Sequence, residues 1–276
     1  MSFGQPLPVL MYHHISPKPG LVTCSPENFR AQMQWLAKNG WKTLSTVAFA
    51  EALASGKIPK KSVLITFDDG YLDNWVYAHP VLAEFGQRAT IFLITGWIGD
   101  GPVRPHAGQT GVPDVPTHNQ AMAASADGKF DDAFLRWSEV EVMRAAGTVD
   151  FHSHTHSHTR WDRNISGQDE RDVALANDLR VSRETLRVKL GETSPHLCWP
   201  QGYFDGNYQR VAQAAGFSHL YTTEHGVVRA EVDLTRIPRL VAKDKSALWF
   251  ARRMRIYGNP FLSALYLGLK PGKKGH

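Results

Sequence analysis

Two adjacent carboxylates close an apolar run in this chain: Ser62-Val63-Leu64-Ile65 leads into Thr66-Phe67-Asp68-Asp69-Gly70. Successive residues on a strand point to opposite faces, but at a strand's end the backbone turns, and Gly70 permits that turn. Both carboxylates can then address one cleft, one holding a cation and the other free as a base. Alone, Asp-Asp-Gly reads more readily as an acidic turn capping a helix. The histidines downstream change that reading. His152-Ser153-His154-Thr155-His156-Ser157-His158 holds four of the chain's 13 histidines. His154 and His158 are four apart, which on a helical turn sets both rings on one side, roughly 5–6 Å apart at Cβ. That suits two nitrogens meeting a metal at about 2.0–2.1 Å. Two imidazoles and one carboxylate leave coordination positions for water and substrate, the catalytic pattern of a divalent metal site. His152 and His156 form an equally spaced pair, and spacing alone does not choose between them.

These residues need rigid elements to bring them together. Leu7–Tyr12 predicts a short buried strand that runs straight into His13 and His14. Ser25 then reads as an N-cap with Pro26 at the first helical position, and Phe29, Met33 and Leu36 recur at helical spacing up to Gly40. Further strands are expected at Trp41–Leu44, Val63–Phe67, Ala89–Ile94, Val149–Phe151, His196–Trp199, His219–Tyr221 and Arg236–Leu240. Helices are expected over Thr46–Ala54, Trp75–Phe85, from Trp137 with Ser138 as its cap, Gln168–Leu190 and Tyr208–Ala215. Strand–helix alternation of this kind predicts parallel strands joined by right-handed crossovers. With about eight strands and chemistry at several C-terminal strand ends, the pattern fits an α/β barrel, a distorted (β/α)7-8 closure in one domain over 1–245. Residues from about 96 to 130 break the rhythm with Gly, Pro and polar residues and read as a surface insertion.

Length and composition bound the rest. At 276 residues and 42% hydrophobic, the chain supports one large α/β domain. Net charge is +5, but no Lys/Arg-rich stripe with interleaved aromatics occurs, so no nucleic-acid partner is expected. Two cysteines, Cys24 and Cys198, do not make a disulfide framework and point to a reducing compartment. Met1–Pro6 lacks the basic start, apolar core and cleavage site of a leader, so a cytoplasmic location is expected. The tail, 246–276, mixes aromatics and arginines (Trp249 to Tyr257), then an apolar run, then Lys270, Lys273 and Lys274. It reads as a packing helix with a basic end, or as a segment touching anionic membrane.

The Asp-Asp-Gly strand end and Ser153-His154-Thr155-His156-Ser157-His158 together resemble the first two motifs of the polysaccharide deacetylases, the NodB-like fourth family of carbohydrate esterases. The resemblance spans roughly residues 7–242 in motif order. It implies that Asp68 is the general base and that Asp69, His154 and His158 hold the metal. His152 stands where that family has a small residue. Cys198-Trp199-Pro200-Gln201-Gly202-Tyr203 resembles the third motif, a groove wall in which the Gln201 N–H would face the oxyanion and Trp199, Pro200 and Tyr203 would meet substrate. The arginine that many members carry before this proline is replaced by Trp199, which reads equally as a core residue or a sugar platform. The family's late Leu-x-x-His strand is absent. Val9-Leu10-Met11-Tyr12-His13 has its character instead, as in the circularly permuted biofilm-type subgroup, which implies His13 as general acid, with His14 the lesser neighbour. An aspartate orienting His13 is expected, for which Asp233 is the only, faint candidate. Tyr71, Trp75, Trp97, Trp137 and Trp161 are further candidates to line a sugar groove, each with core packing as the simpler reading.

The resemblance implies a divalent metal, zinc first and iron, cobalt or nickel as alternatives. It implies hydrolysis of the N-acetyl group of an amino sugar in a glycan or glycolipid, and the basic tail suggests a lipid-linked substrate such as a lipopolysaccharide precursor. A deformylase or O-deacetylase on the same scaffold, or a catalytically inactive carbohydrate-binding relative, are the alternatives.

Overall fold

The computed structural model describes residues 4–268. Its strands are β1 (Val9–Tyr12), β2 (His14–Ile15), β3 (Thr23–Cys24), β4 (Lys42–Thr43), β5 (Ser62–Phe67), β6 (Ala89–Leu93), β7 (Val149–Ser153), β8 (His196–Cys198), β9 (His219–His225) and β10 (Ile237–Val241). Seven of them close a ring in the order β1-β5-β6-β7-β8-β9-β10 and back to β1, every pairing parallel. Closure rests on β1, which pairs with β5 (Leu10 opposite Ile65, Tyr12 opposite Phe67) and with β10 (Leu10 opposite Leu240). β4 joins only at the start of β5, and β2 pairs with β3 outside the ring. The barrel therefore has seven strands, and the chain's first and last strands adjoin.

Burial explains the strand sequences. All residues of β1, β5 and β6 are buried, as expected for parallel strands with helices outside and a filled barrel inside. Leu7, Val9, Leu64, Phe92, Tyr221 and Ile237 belong to one apolar cluster. The helices are α1 (Pro26–Lys38), α2 (Thr46–Ala54), α3 (His79–Glu84), α4 (His118–Ala126), α5 (Trp137–Ala145), α6 (Trp161–Asn164), α7 (Gln168–Leu190), α8 (Gly206–Ala214), α9 (Ala247–Tyr257) and α10 (Pro260–Gly268). Ser25 caps α1 by accepting from the Asn28 N–H, with Pro26 at its start.

Two local expectations need correction. The helix expected over 75–85 is a π-helical turn, Asn74–Ala78, followed by α3. Pro80, which has no N–H to donate, sits at the start of α3, where an unpaired position costs nothing. Asn74 in that turn donates to the His13 carbonyl at 2.7 Å, tying the end of β1 to the turn after β5. Ser138 does not cap α5. Arg136 holds the cap position with Glu139 accepting its backbone N–H at 2.9 Å, and the Ser138 hydroxyl is buried without a partner.

Between β6 and α5 the chain crosses the strand ends and carries α4. Arg104 anchors this stretch: it pairs with the fully buried Glu139 at 2.7 Å and donates to the Phe134 carbonyl. At the other end of the chain α9 packs on α1 (Trp35 and Phe250 ring centroids 5.9 Å apart, edge to face), while α10 leaves Phe261, Leu262 and Leu265 exposed. Lys270, Lys273 and Lys274 lie outside the described residues. No helix among the described residues is long and apolar enough to cross a membrane.

Candidate active site

The C-terminal ends of β1, β5, β7 and β8, with Thr223 of β9, converge on one cavity of about 280 Å³. β5 delivers Asp68 and Asp69 with an abrupt turn, Asp69 at φ +74° and Gly70 at φ +78°. A side chain at Gly70 would also meet Leu93 Cδ2 at 2.7 Å, so only glycine fits. Among the described residues six non-glycine positions have positive φ: Val22, Lys61, Asp69, Thr155, His158 and Gln201. Five of the six border this cavity or lie between residues that do. Each such conformation costs about 1–3 kcal/mol, and such strain gathers at sites that the surrounding fold over-determines.

His154 and His158 meet, but not on a helical turn. Residues 154–158 form an irregular loop held from behind by Asp178, which accepts the backbone N–H groups of His156 and Ser157 at 3.2 and 2.9 Å. Thr155 and His158 take left-handed backbone, and Thr155 Oγ1 accepts the His158 N–H at 3.0 Å. The rings end 5.0 Å apart between centroids. His152 points elsewhere, between Ser194 Oγ at 2.5 Å and Thr46 Oγ1 at 2.7 Å, and His156 Nδ1 lies 3.1 Å from Thr95 Oγ1. The alternative pair is thereby removed from the site.

Asp69 Oδ1 lies 3.1 Å from His154 Nε2 and 3.5 Å from His158 Nε2, and it is buried with no hydrogen-bond partner. One ligand atom from each residue falls within 4.8 Å of the others. His154 Nδ1 donates to the Cys198 carbonyl at 2.8 Å, which puts the proton on Nδ1 and turns the Nε2 lone pair toward Asp69. An orphaned carboxylate oxygen facing two imidazole nitrogens is a donor set that fits a divalent cation. Burial lowers His158 to about 4, so its ring is neutral and ready to ligate at neutral pH.

Asp68 is buried beside this set and clamped by Arg239 from β10. The guanidinium donates to both carboxylate oxygens, at 2.6 and 2.8 Å, and through Nε to the Thr222 carbonyl at 2.8 Å. Burial alone would raise Asp68, but Arg239 prevails and holds its carboxyl below the ordinary carboxylate range. Asp68, His154 and Cys198 also crowd together. Burial keeps Cys198 a thiol, and Asp68 is committed to Arg239, so the Asp69 set is the better cation site. His13 Nε2 lies 3.8 Å from Asp68 Oδ2, with its pKa lowered by burial against the pull of Asp68 and Asp69.

Gln201 reaches the cavity at φ +54°. The loop it sits on presses onto β9, where a Cβ at Gly202 would stand 2.1 Å from Thr223 Oγ1. The other third-motif residues do not form a sugar platform. The Trp199 ring is 1% exposed and packs on Tyr208 with centroids 5.5 Å apart, which decides for the core reading although the residue borders the cavity. Pro200 is buried, and Tyr203 is covered by the Arg160 guanidinium 3.9 Å above its ring; neither lines the cavity. Tyr71, Trp75 and Trp137 are core, and Trp97 and Trp161 do not border the cavity either. Asp233 is exposed and accepts from Thr235, so it does not orient His13. The aspartate near the first strand's histidines is Asp73, and it holds His14.

Sequence reasoning missed Arg239, as well as Leu21, Val22, His118, Met122 and Thr223 on the cavity wall. A lone arginine inside Ile237-Pro238-Arg239-Leu240-Val241 was the available clue, because a buried charge requires a partner.

Comparison with known proteins agrees with this geometry. The polysaccharide deacetylase family profile matches residues 55–220. A segment of 94 residues is 49% identical to a polysaccharide deacetylase, YxkH, of Bacillus subtilis, covering 34% of this chain and only 33% of that relative. Over 222 residues the chain is 28% identical to a poly-β-1,6-N-acetyl-D-glucosamine N-deacetylase of Staphylococcus epidermidis, covering 79% of this chain and 67% of the relative. In fold it is similar to the Streptococcus pyogenes deacetylase PplD (TM-score 0.71, 22% identity, 90% of this chain and 98% of the other). It is likewise similar to IcaB from Ammonifex degensii (TM-score 0.70, 22% identity, 93% and 99%).

Proposed function

The chain belongs to the polysaccharide deacetylase family, and from that membership and the site's geometry we propose that it hydrolyses the N-acetyl group of an amino sugar. The observation that carries this reading is the pairing of two differently treated carboxylates. Asp69 faces His154 and His158 with a bare oxygen, while Asp68, its neighbour, is ionised and aimed by Arg239. The former set would hold a divalent cation, zinc first, with iron, cobalt or nickel able to occupy the same donors. Bound there, such an ion would polarise the acetamide carbonyl and acidify the attacking water. Asp68 takes the water's proton, its carboxylate kept ionised by Arg239. Gln201 and His13 both line the cavity; the Gln201 N–H would meet the oxyanion, and His13 would hand a proton to the departing nitrogen.

For the substrate, we propose an N-acetylated glycan of the kind that the Staphylococcus epidermidis relative is named for. The exposed Phe261, Leu262 and Leu265 of α10, together with the exposed Arg252 and Arg255 of α9, support contact with an anionic bilayer and hence a lipid-linked glycan, a lipopolysaccharide precursor among them. The direct test is mass spectrometry of glycans and glycolipids from cells with and without the protein. Loss of the protein should leave one glycan heavier by about 42 Da per sugar, the difference between acetamide and amine set by amide cleavage. A purified, metal-loaded protein that releases no acetate from N-acetylglucosamine oligomers would sink the proposal.

A further inference from the structure

A chain of side chains leads from beneath the site to the cavity wall without a part in the reaction. Asp73 and His14 are 2% and 1% exposed. His14 Nδ1 lies 2.6 Å from Asp73 Oδ2, while Asp73 Oδ1 accepts from the Ile15 N–H at 3.1 Å and the Asn74 amide at 2.9 Å. Tyr71 stacks on the His14 ring with centroids 3.7 Å apart. His14 Nε2 lies 3.3 Å from His118 Nδ1, and the Tyr71 hydroxyl stands at the same distance from that nitrogen. His118, the first residue of α4, lines the cavity.

With one proton on each ring, the row admits one arrangement. A carboxylate only accepts, so His14 carries its proton on Nδ1 and offers a lone pair at Nε2. That lone pair requires a donor, which puts the His118 proton on Nδ1. The remaining nitrogen of His118, Nε2, is then an acceptor. Leu21, Val22 and Met122 line the same cavity and supply apolar contact for the carbon face of a pyranose. An acceptor set among apolar groups selects for a hydroxyl. A substituent without a proton at that position would leave two lone pairs facing each other, which costs tenfold or more.

We infer that His118 is a substrate-binding residue that accepts a hydrogen bond from a sugar hydroxyl through Nε2, with Asp73 fixing its tautomer through His14. This rests on the deacetylase reading of the site. Steady-state kinetics of the metal-loaded full chain on an N-acetylglucosamine pentamer test it. His118→Ala should raise KM about tenfold, the loss of one hydrogen bond, with kcat within about threefold of the unsubstituted enzyme. His118→Gln, whose amide oxygen stands where Nε2 was, should recover most of that KM. Asp73→Asn donates to His14 Nδ1 instead of accepting from it, reverses the row, and should raise KM like His118→Ala although it lies outside the cavity. The double variant should be no worse than either single one. Long-range proton–nitrogen spectra should show His118 protonated at Nδ1 and bare at Nε2, and they carry the test if Asp73→Asn fails to fold. Turnover with a KM indifferent to His118→Ala, or a His118 proton on Nε2, overturns the inference alone. No turnover by the unsubstituted enzyme overturns the deacetylase reading and the inference with it.

Discussion

Replacing Arg239 by methionine removes the guanidinium that clamps Asp68 and keeps the side chain's bulk. Arg239 is 1% exposed and makes two charge-assisted bonds to Asp68, a third to the Thr222 carbonyl and a fourth to Thr66 Oγ1 at 3.2 Å. Its loss leaves a buried carboxylate uncompensated, a cost of about 3–5 kcal/mol. At about 2–4 °C per kcal/mol for a domain of this size, the melting temperature should fall on the order of 10 °C. The pH dependence carries the sharper test. In the intact protein the Asp68 carboxyl lies below its ordinary value because Arg239 outweighs burial. A depressed folded-state pKa contributes stability above the unfolded value, about 3.9, and that contribution is lost as pH falls through the folded value. The stability gap between intact protein and variant should therefore be widest at neutral pH and close on acidification below about 4. In the variant, burial prevails and raises Asp68, so the acid limb of kcat/KM should move to higher pH. At its plateau kcat/KM should fall about 10²–10⁴-fold, the contribution of a positioned base. Melting curves and a pH–rate profile read both effects. Asp68→Asn combined with Arg239→Met should regain part of the stability and none of the activity. A variant with its acid limb and plateau unchanged would refute the assignment of Asp68 as a base held by Arg239.

Three further outcomes follow from the same geometry. Asp69→Asn should purify with at least about tenfold less divalent metal by elemental mass spectrometry, and it should lose the roughly 2.7 kcal/mol that zinc at 100 times its Kd lends the intact chain; equal metal content in both proteins contradicts the proposed ligand set. His13→Asn should slow amide cleavage about 10²–10⁴-fold and slow hydrolysis of a fluorogenic acetyl ester far less, because a phenolate-type leaving group needs no proton; equal losses on both substrates would remove His13 from the acid's role. Gly202→Ala places a Cβ 2.1 Å from Thr223 Oγ1 at φ +70°, and should cost at least about 1–3 kcal/mol of stability and about tenfold or more in kcat/KM by displacing Gln201; an unchanged rate would separate this loop from the reaction.

What could be foreseen from the chain, and what could not, divides by the range of the interaction. Parallel strands covered on both faces must be continuously apolar, so Ser62–Phe67 and Ala89–Leu93 were legible as strands before any contact was known. The Asp-Asp-Gly turn was legible for a local reason, because left-handed backbone at Gly70 is written in the residue itself. The structure brings the His154 and His158 rings to 5.0 Å between centroids, but not by the helical turn that their spacing predicts. Their spacing suggested a helix, whereas two left-handed residues and Asp178 bend a loop to the same end. Arg239 inside an apolar strand signals locally that it needs a partner, but no local rule names that partner, which lies 171 residues away. By the family resemblance Trp199 stands where an arginine is expected, and the sequence says only that this arginine is missing. What the chemistry requires is a cation within bonding reach of a buried Asp68. In a closed ring of seven strands β10 adjoins β1, and β1 adjoins the strand that carries Asp68, so an inward residue of β10 reaches the base. The requirement is therefore fixed by the cost of an unpaired buried carboxylate, while the position that meets it is free to move around the barrel.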